Sequence, residues 1–140
     1  MYEQYTRQAL PSRNYRELVG SAICVFNSNN SFIIENILRH DKEHEYSWYE
    51  LIGGTSGELS KPIKETITKY SDTKISNHFS NIVQKRNRII HSFQITHSGE
   101  QMLATKQKDN KQFIITEEYL YDFIEENEKL SSLLHEFRRY

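Results

Sequence analysis

At 140 residues the chain is the size of one domain, large enough to bury a core without staples. Nine Tyr and seven Phe argue against disorder, although only 36% of the residues are hydrophobic, so much of the surface must be polar. Eighteen basic against nineteen acidic residues leave a formal charge of -1, so no global basic field attracts nucleic acid, and any such contact must come from a local patch. The single Cys24 excludes an internal disulfide and a thiolate zinc site; in its apolar helical run it reads as a buried, inert thiol. The start Met1-Tyr2-Glu3-Gln4 has no basic region followed by an apolar block, and no stretch approaches the length of a membrane span. The expectation is a single-domain cytoplasmic protein over residues 1–140.

Residues Met1–Pro11 are polar and read as a short arm or helix. Ser12, after Pro11, is a helix N-cap. Val19, Ala22, Ile23, Phe26, Ile33 and Ile37 then hold one helical phase, predicting a long helix from about Arg13 to about Arg39. Its middle, Asn27–Ser31, is poor helix material, so two shorter helices are the competing expectation. Asn30 falls on the apolar stripe, and Asn30 or Asn27 could face an interior cleft. His40-Asp41-Lys42-Glu43-His44 matches H-x-x-E-H, in which two His one turn apart can share a metal. The segment is dense in charge and no third ligand is evident, so a solvated helix end is preferred.

Tyr46–Leu51 is aromatic-rich, with Trp48 expected to anchor it on the core. Gly53–Gly57 is glycine-rich but lacks the Lys-Ser/Thr pair of a phosphate loop, and reads as a connection. Leu59, Ile63, Ile67 and Tyr70 predict a second helix of about three to four turns, with Pro62 in its first turn. Ser71-Asp72-Thr73-Lys74 reads as a turn in which Ser71 or Asp72 caps the next helix.

That next helix is predicted from about Lys74 to His91. Ile75, Phe79, Ile82 and Val83 recur at helical spacing, and Arg86 and Ile90 fall on the same stripe. An arginine thus stands where the pattern asks for an apolar side chain, which is costly unless it is paired or borders an anion-binding cleft. Asn87 precedes His91 by one turn and shares a neighbouring face with it. The pattern then changes. Phe93–Thr96, Met102–Thr105 and Phe113–Ile115 alternate as strands, and Lys108-Asp109-Asn110-Lys111 reads as a hairpin turn. Lys106, Lys108 and Lys111 on this flap either protect a sheet edge or contact phosphate. Thr116 caps a last helix, in which Leu120, Phe123, Ile124, Leu130, Leu134 and Phe137 keep phase to the end; Glu117 and Glu118 suit its start, and His135, Arg138 and Arg139 its close.

Arg86-Asn87-x-x-x-His91 resembles the R-x4-6-H motif of the HEPN superfamily, which commonly carries Asn or another polar residue directly after the Arg. The resemblance implies an all-α fold, a bundle of four to five helices, here with a hairpin or three-stranded flap between the motif helix and the last helix. It implies a metal-independent endoribonuclease with no cofactor, as in toxins and anti-phage effectors, acting as a homodimer with a composite site. Its RNA would be cut by attack of the 2′-hydroxyl, leaving a 2′,3′-cyclic phosphate. Carried onto this sequence, His91 is the base, Arg86 clamps the phosphate, and Asn87 orients the His or bonds the scissile phosphate. Arg88, Lys85, Asn30, Lys106, Lys108 and Lys111 are the expected substrate contacts. An antitoxin or a larger defence complex is the partner such a toxin would have. A non-catalytic HEPN-like module binding RNA, a nucleotide or a protein is the alternative. The competing reading of the residues themselves is a satisfied buried charge, Arg86 on a core carboxylate such as Glu35, with His91 favoured at the helix end by the dipole alone.

Overall fold

Ser12 starts the first helix as its hydroxyl dictates: Oγ accepts from the Tyr15 N–H at 3.2 Å. In the computed structural model, which describes residues 1–139, α1 then runs unbroken over Arg13–Arg39. The polar stretch Asn27–Ser31 does not split it, for a tertiary reason. Asn29 is buried, and its Nδ2 donates to the backbone oxygen of Asn127 at 2.8 Å and to Asn127 Oδ1 at 3.0 Å. Asn127 in turn donates to the Phe123 carbonyl at 2.9 Å. Both asparagines lie inside the contact between α1 and the last helix, α5 (Glu117–Arg138). Satisfied buried amides fix the register of that contact and outweigh weak local propensity. The two helices run in the same direction: Asn14 meets Glu117 at one end, and Phe32 packs 4.6 Å from the His135 ring at the other.

Three shorter features follow α1. Helix α2 (Trp48–Gly53) is capped by Ser47, but its buried anchor is Leu51, whereas the expected anchor, Trp48, is 37% exposed. The predicted second helix is present as one helical stretch that changes pitch: a 3-10 turn over Ser56–Leu59, α3 over Ser60–Ile63, and a π turn over Lys64–Thr68. Pro62 has no N–H to give, and Thr66 Oγ1 donates to the Pro62 carbonyl at 2.7 Å, so the regular ladder is disturbed there. Leu59, Ile63 and Ile67 are buried all the same. Helix α4 (Lys74–Ile90) begins where Asp72 Oδ1 accepts the Lys74 N–H at 2.9 Å. Its buried face is Ile75, Phe79, Ile82, Val83 and Ile89; Ile90, expected on that stripe, is 48% exposed.

The all-α expectation is corrected by what comes next. Strands β1 (Phe93–His97), β2 (Glu100–Lys106) and β3 (Gln112–Ile115) form an antiparallel sheet in that order. The three strand-like runs are where the alternation put them, but β2 and β3 are part of the core, with Ala104, Thr105 and Ile115 buried, while β1 forms the outer edge. The chain is therefore mixed, five helices and one sheet. Ser98 and Gly99, both at positive φ, make the tight two-residue turn between β1 and β2, where the absent side chain of Gly99 removes the steric cost. Asn110, at φ 67, closes the β2–β3 loop, with the Gln107 N–H donating to the Lys111 carbonyl at 2.8 Å. Tyr15 ties the sheet to α1. Its buried hydroxyl donates to the Ile115 carbonyl at 2.5 Å and accepts from the Leu103 N–H at 3.2 Å, between two residues paired across β2 and β3. Burial pushes its phenol pKa up.

The N-terminal arm is a closed loop, not a helix: Met1 and Leu10 exchange backbone hydrogen bonds, and Glu3 pairs with Arg13 and Arg16. Cys24 is exposed, contrary to expectation; two positions from both Ala22 and Phe26, which are buried, it falls on the far side of α1. Among the described residues no helix is long and apolar enough to cross a membrane.

Asn29→Ala is expected to lower unfolding free energy by about 2 kcal/mol, because it strands the Asn127 side-chain oxygen inside the helix contact. Urea denaturation with an unchanged slope checks it; a loss below about 0.5 kcal/mol would show that the pair does not hold α1 to α5.

Candidate functional site

The site predicted from the sequence sits at the C-terminal end of α4, and its members take different directions there. Arg86 lies in the middle of the buried face. Its guanidinium carbon is 4.7 Å from the centroid of the Phe26 ring, and its Nε is buried without a hydrogen-bond partner. Desolvation pulls its pKa below the ordinary arginine value. Among the described residues no carboxylate pairs with it, and Glu35 is exposed on α1, so the internal ion pair considered above is not formed. The ring of Phe26 offsets part of the cost of this charge. Only Nε is sealed from solvent; the terminal nitrogens of this half-buried side chain stay open to water or to an anion.

His91 is the C-cap residue of α4. It is exposed, and its N–H donates to the Asn87 carbonyl at 2.9 Å. Five residues of helix carry a side chain about 140° round the axis and about 7.5 Å along it. Arg86 therefore faces the core while Asn87 and His91 share the outer side. Asn87 and His91 thus share one face, as their spacing predicts, and that face is not the one that holds Arg86.

On that outer side α4 borders a cleft of ≈ 570 Å³ closed by the β2–β3 loop, β3 and the start of α5. Four of the predicted residues line it: Lys85, Asn87, Arg88 and Lys108. Lys85 is ion-paired with Glu126 of α5, and Arg88 donates to the Lys106 carbonyl. The first contact cancels a charge; the second leaves the guanidinium charge uncancelled, because its acceptor is neutral. Tyr119 lines the wall, its hydroxyl 3.5 Å from the Lys85 carbonyl and its ring 5.6 Å from that of Phe113. Burial raises its phenol pKa.

Lys106 and Lys111 are exposed outside this lining. Asn30 is elsewhere: its Oδ1 accepts from Ser56 Oγ at 2.8 Å, beside a separate groove of ≈ 220 Å³ that Ser56, Phe79 and Val83 line. Among the described residues it makes no hydrogen bond to Arg86, and its side-chain oxygen is taken by the Ser56 hydroxyl. The cleft also holds residues the sequence reading missed: Asn81, Gln84, Gln107, Phe113 and Tyr119. Asn81, Gln84 and Arg88 stand at i, i+3 and i+7, so that part of the wall was readable as one helix face. Phe113 and Tyr119 arrive through the sheet, and no local spacing announces them.

The H-x-x-E-H segment is occupied with structural contacts. The His40 ring packs 4.5 Å from that of Phe137 and its Nδ1 is 3.0 Å from the Asn36 carbonyl, while His44 turns the chain at φ 55. Asp41 accepts from the Glu45 and Tyr46 N–H groups at 3.1 and 2.8 Å. Among the described residues no three His, Cys, Asp or Glu side chains are grouped to hold a metal ion.

Comparison of the chain with family models, curated proteins and solved structures found no match.

A desolvated guanidinium with no partner contributes little to folding, so Arg86→Met is expected to leave thermal stability unchanged or to raise it. A calorimetric loss of more than about 1 kcal/mol would instead make Arg86 a structural residue.

Proposed function

We propose that this chain is a metal-independent endoribonuclease of the HEPN type, working in the cytoplasm as a homodimer, in a toxin or anti-phage defence setting. The observation that carries the reading is Arg86: a half-buried guanidinium over the core ring of Phe26, with no carboxylate partner among the described residues. An anion from outside can reach its terminal nitrogens, and a phosphodiester matches the planar donor fork of arginine. The motif resemblance supplies the rest, Arg86-Asn87-x-x-x-His91, with the histidine exposed at the helix end.

The chemistry asks three things of these residues. The exposed His91 takes the proton of the 2′-hydroxyl, whose oxygen attacks phosphorus. Arg86 stabilises the charge that builds on the phosphoryl oxygens. The 5′-oxygen leaves and collects a proton, so the products are a 2′,3′-cyclic phosphate and a 5′-hydroxyl. Arg86 and His91 of one chain face apart, so the reading calls for two copies, with Arg86 of one protomer working with His91 of its partner. Exposed Ile90 and Phe93 flank His91 and offer an apolar patch for that contact.

The separation of Arg86 from His91 within the chain favours one other reading, an RNA-binding module without catalysis. The two part in a single assay: single-stranded RNA in EDTA with the wild type, Arg86→Ala and His91→Ala. The endoribonuclease reading expects cyclic-phosphate ends from the wild type and a fall of about 100-fold or more in each variant. Binding without cleavage selects the module. Light scattering tests the dimer independently; a monomer at assay concentrations that still cleaves removes the composite site.

A further inference from the structure

The cleft beside α4 combines basic, carboxamide and aromatic side chains. The chain carries a formal charge of -1, yet no carboxylate lines this cleft, and Arg88 and Lys108 bring positive charge that no acidic side chain cancels. Four carboxamides, Asn81, Gln84, Asn87 and Gln107, also line it; three are exposed and Asn87 is half-buried. None of the four side chains spends its amide on a hydrogen bond among the described residues. Each can both donate and accept, which is what the edge of an unpaired base asks for. Phe113 and Tyr119, half-buried and set 51° to one another, supply aromatic surface in the same wall.

We propose that this cleft seats an unpaired nucleotide of a single RNA strand, with its base on the Phe113–Tyr119 wall and its phosphates at Arg88 and Lys108. The inference rests on the reading of the chain as RNA-directed and names the form of RNA that it takes. Single-stranded sites combine a basic groove with aromatic rings and amides that reach base edges, whereas an A-form duplex keeps its bases stacked and paired. At ≈ 570 Å³ the volume suits a nucleotide. Asn87 links the two places: its side chain lines the cleft and its carbonyl holds the His91 N–H. A strand seated here runs past the end of α4 toward His91.

The test is fluorescence anisotropy with the His91→Ala full-length chain, which binds without cutting. A labelled 12-nucleotide single strand is compared with its duplex and with a nucleoside monophosphate as competitor. Single strand is expected to bind about tenfold or more tighter than duplex; Lys108→Glu and the Gln84→Ala/Gln107→Ala pair, all at exposed positions, are each expected to weaken it about tenfold. Equal affinity for duplex, unchanged binding in both the Lys108 and the Gln variants, or a monophosphate competing as well as the strand, overturns the proposal. RNA cleavage by the wild type that is indifferent to these substitutions removes the cleft and leaves the nuclease. Cleft-dependent binding with no cleavage does the reverse, and no RNA binding at all removes both.

Discussion

Three helices meet at the ring of Phe26. It lies 6.2 Å from Phe79 of α4 and 6.5 Å from Phe123 of α5, and it is 1% exposed on α1. One turn further along the same contact, Asn29 and Asn127 lock α1 to α5. The aromatic stack gives these helices their mutual distance, and the amide pair gives them their register. The Arg86 guanidinium carbon lies 4.7 Å from the centroid of the same ring. The candidate phosphate ligand therefore rests on a core ring, which restricts the positions that its side chain can take.

The helical frame was legible because its signals are local. Ser12 and Thr116 cap where a hydroxyl before an apolar phase should, and α1 ends at Arg39 as the phase does. The three strand runs were legible for the same reason, since alternation survives whatever the sheet packs on. What they pack on was not. Thr105 is fully buried, and nothing in Met102–Thr105 distinguishes a strand inside the core from one on a solvent flap; the all-α expectation failed at that point. The site was half legible. Periodicity placed Arg86 on the core face correctly, but a spacing of five turns His91 away from it, and the choice between Ile89 and Ile90 as the buried residue lies within the angular tolerance of a helix stripe. Leu51 in place of Trp48, and the exposure of Cys24, are choices of tertiary packing that single residues do not announce.

Charge is nearly balanced in sum but not in place. Around the turn after α1, Asp41, Glu43, Glu45 and Glu65 share a recess with Lys42 and Lys69. The Glu43 carboxylate, which accepts from the protonated form of Glu45, raises the Glu45 carboxyl pKa, and burial and Glu65 push the Tyr46 phenol up. The His40 ring in this recess packs on Phe137, at the far end of α5 from Tyr119, so about 27 Å of helix separates the acid-rich end from the basic cleft.

The direction of α4 makes the cations there necessary. A helix presents its negative end at its C-terminus, which disfavours a phosphate and favours Lys and Arg. An anion site at this end has to be made by side chains, unlike one at an N-terminus, where backbone N–H groups suffice. Of the basic residues in the last two turns of α4, Lys85 is neutralised by Glu126, whereas Arg86 rests on a ring and Arg88 on a neutral carbonyl, so both keep their charge. The carbonyl that holds Arg88 belongs to Lys106, at the end of β2, and the loop that follows delivers Lys108 to the same cleft. The sheet immediately after the motif helix thus orients one of its arginines and adds a further cation. This gives a physical reason for a sheet at that point in the chain, where a plain helical connection would leave the negative end of α4 with fewer positive groups around it.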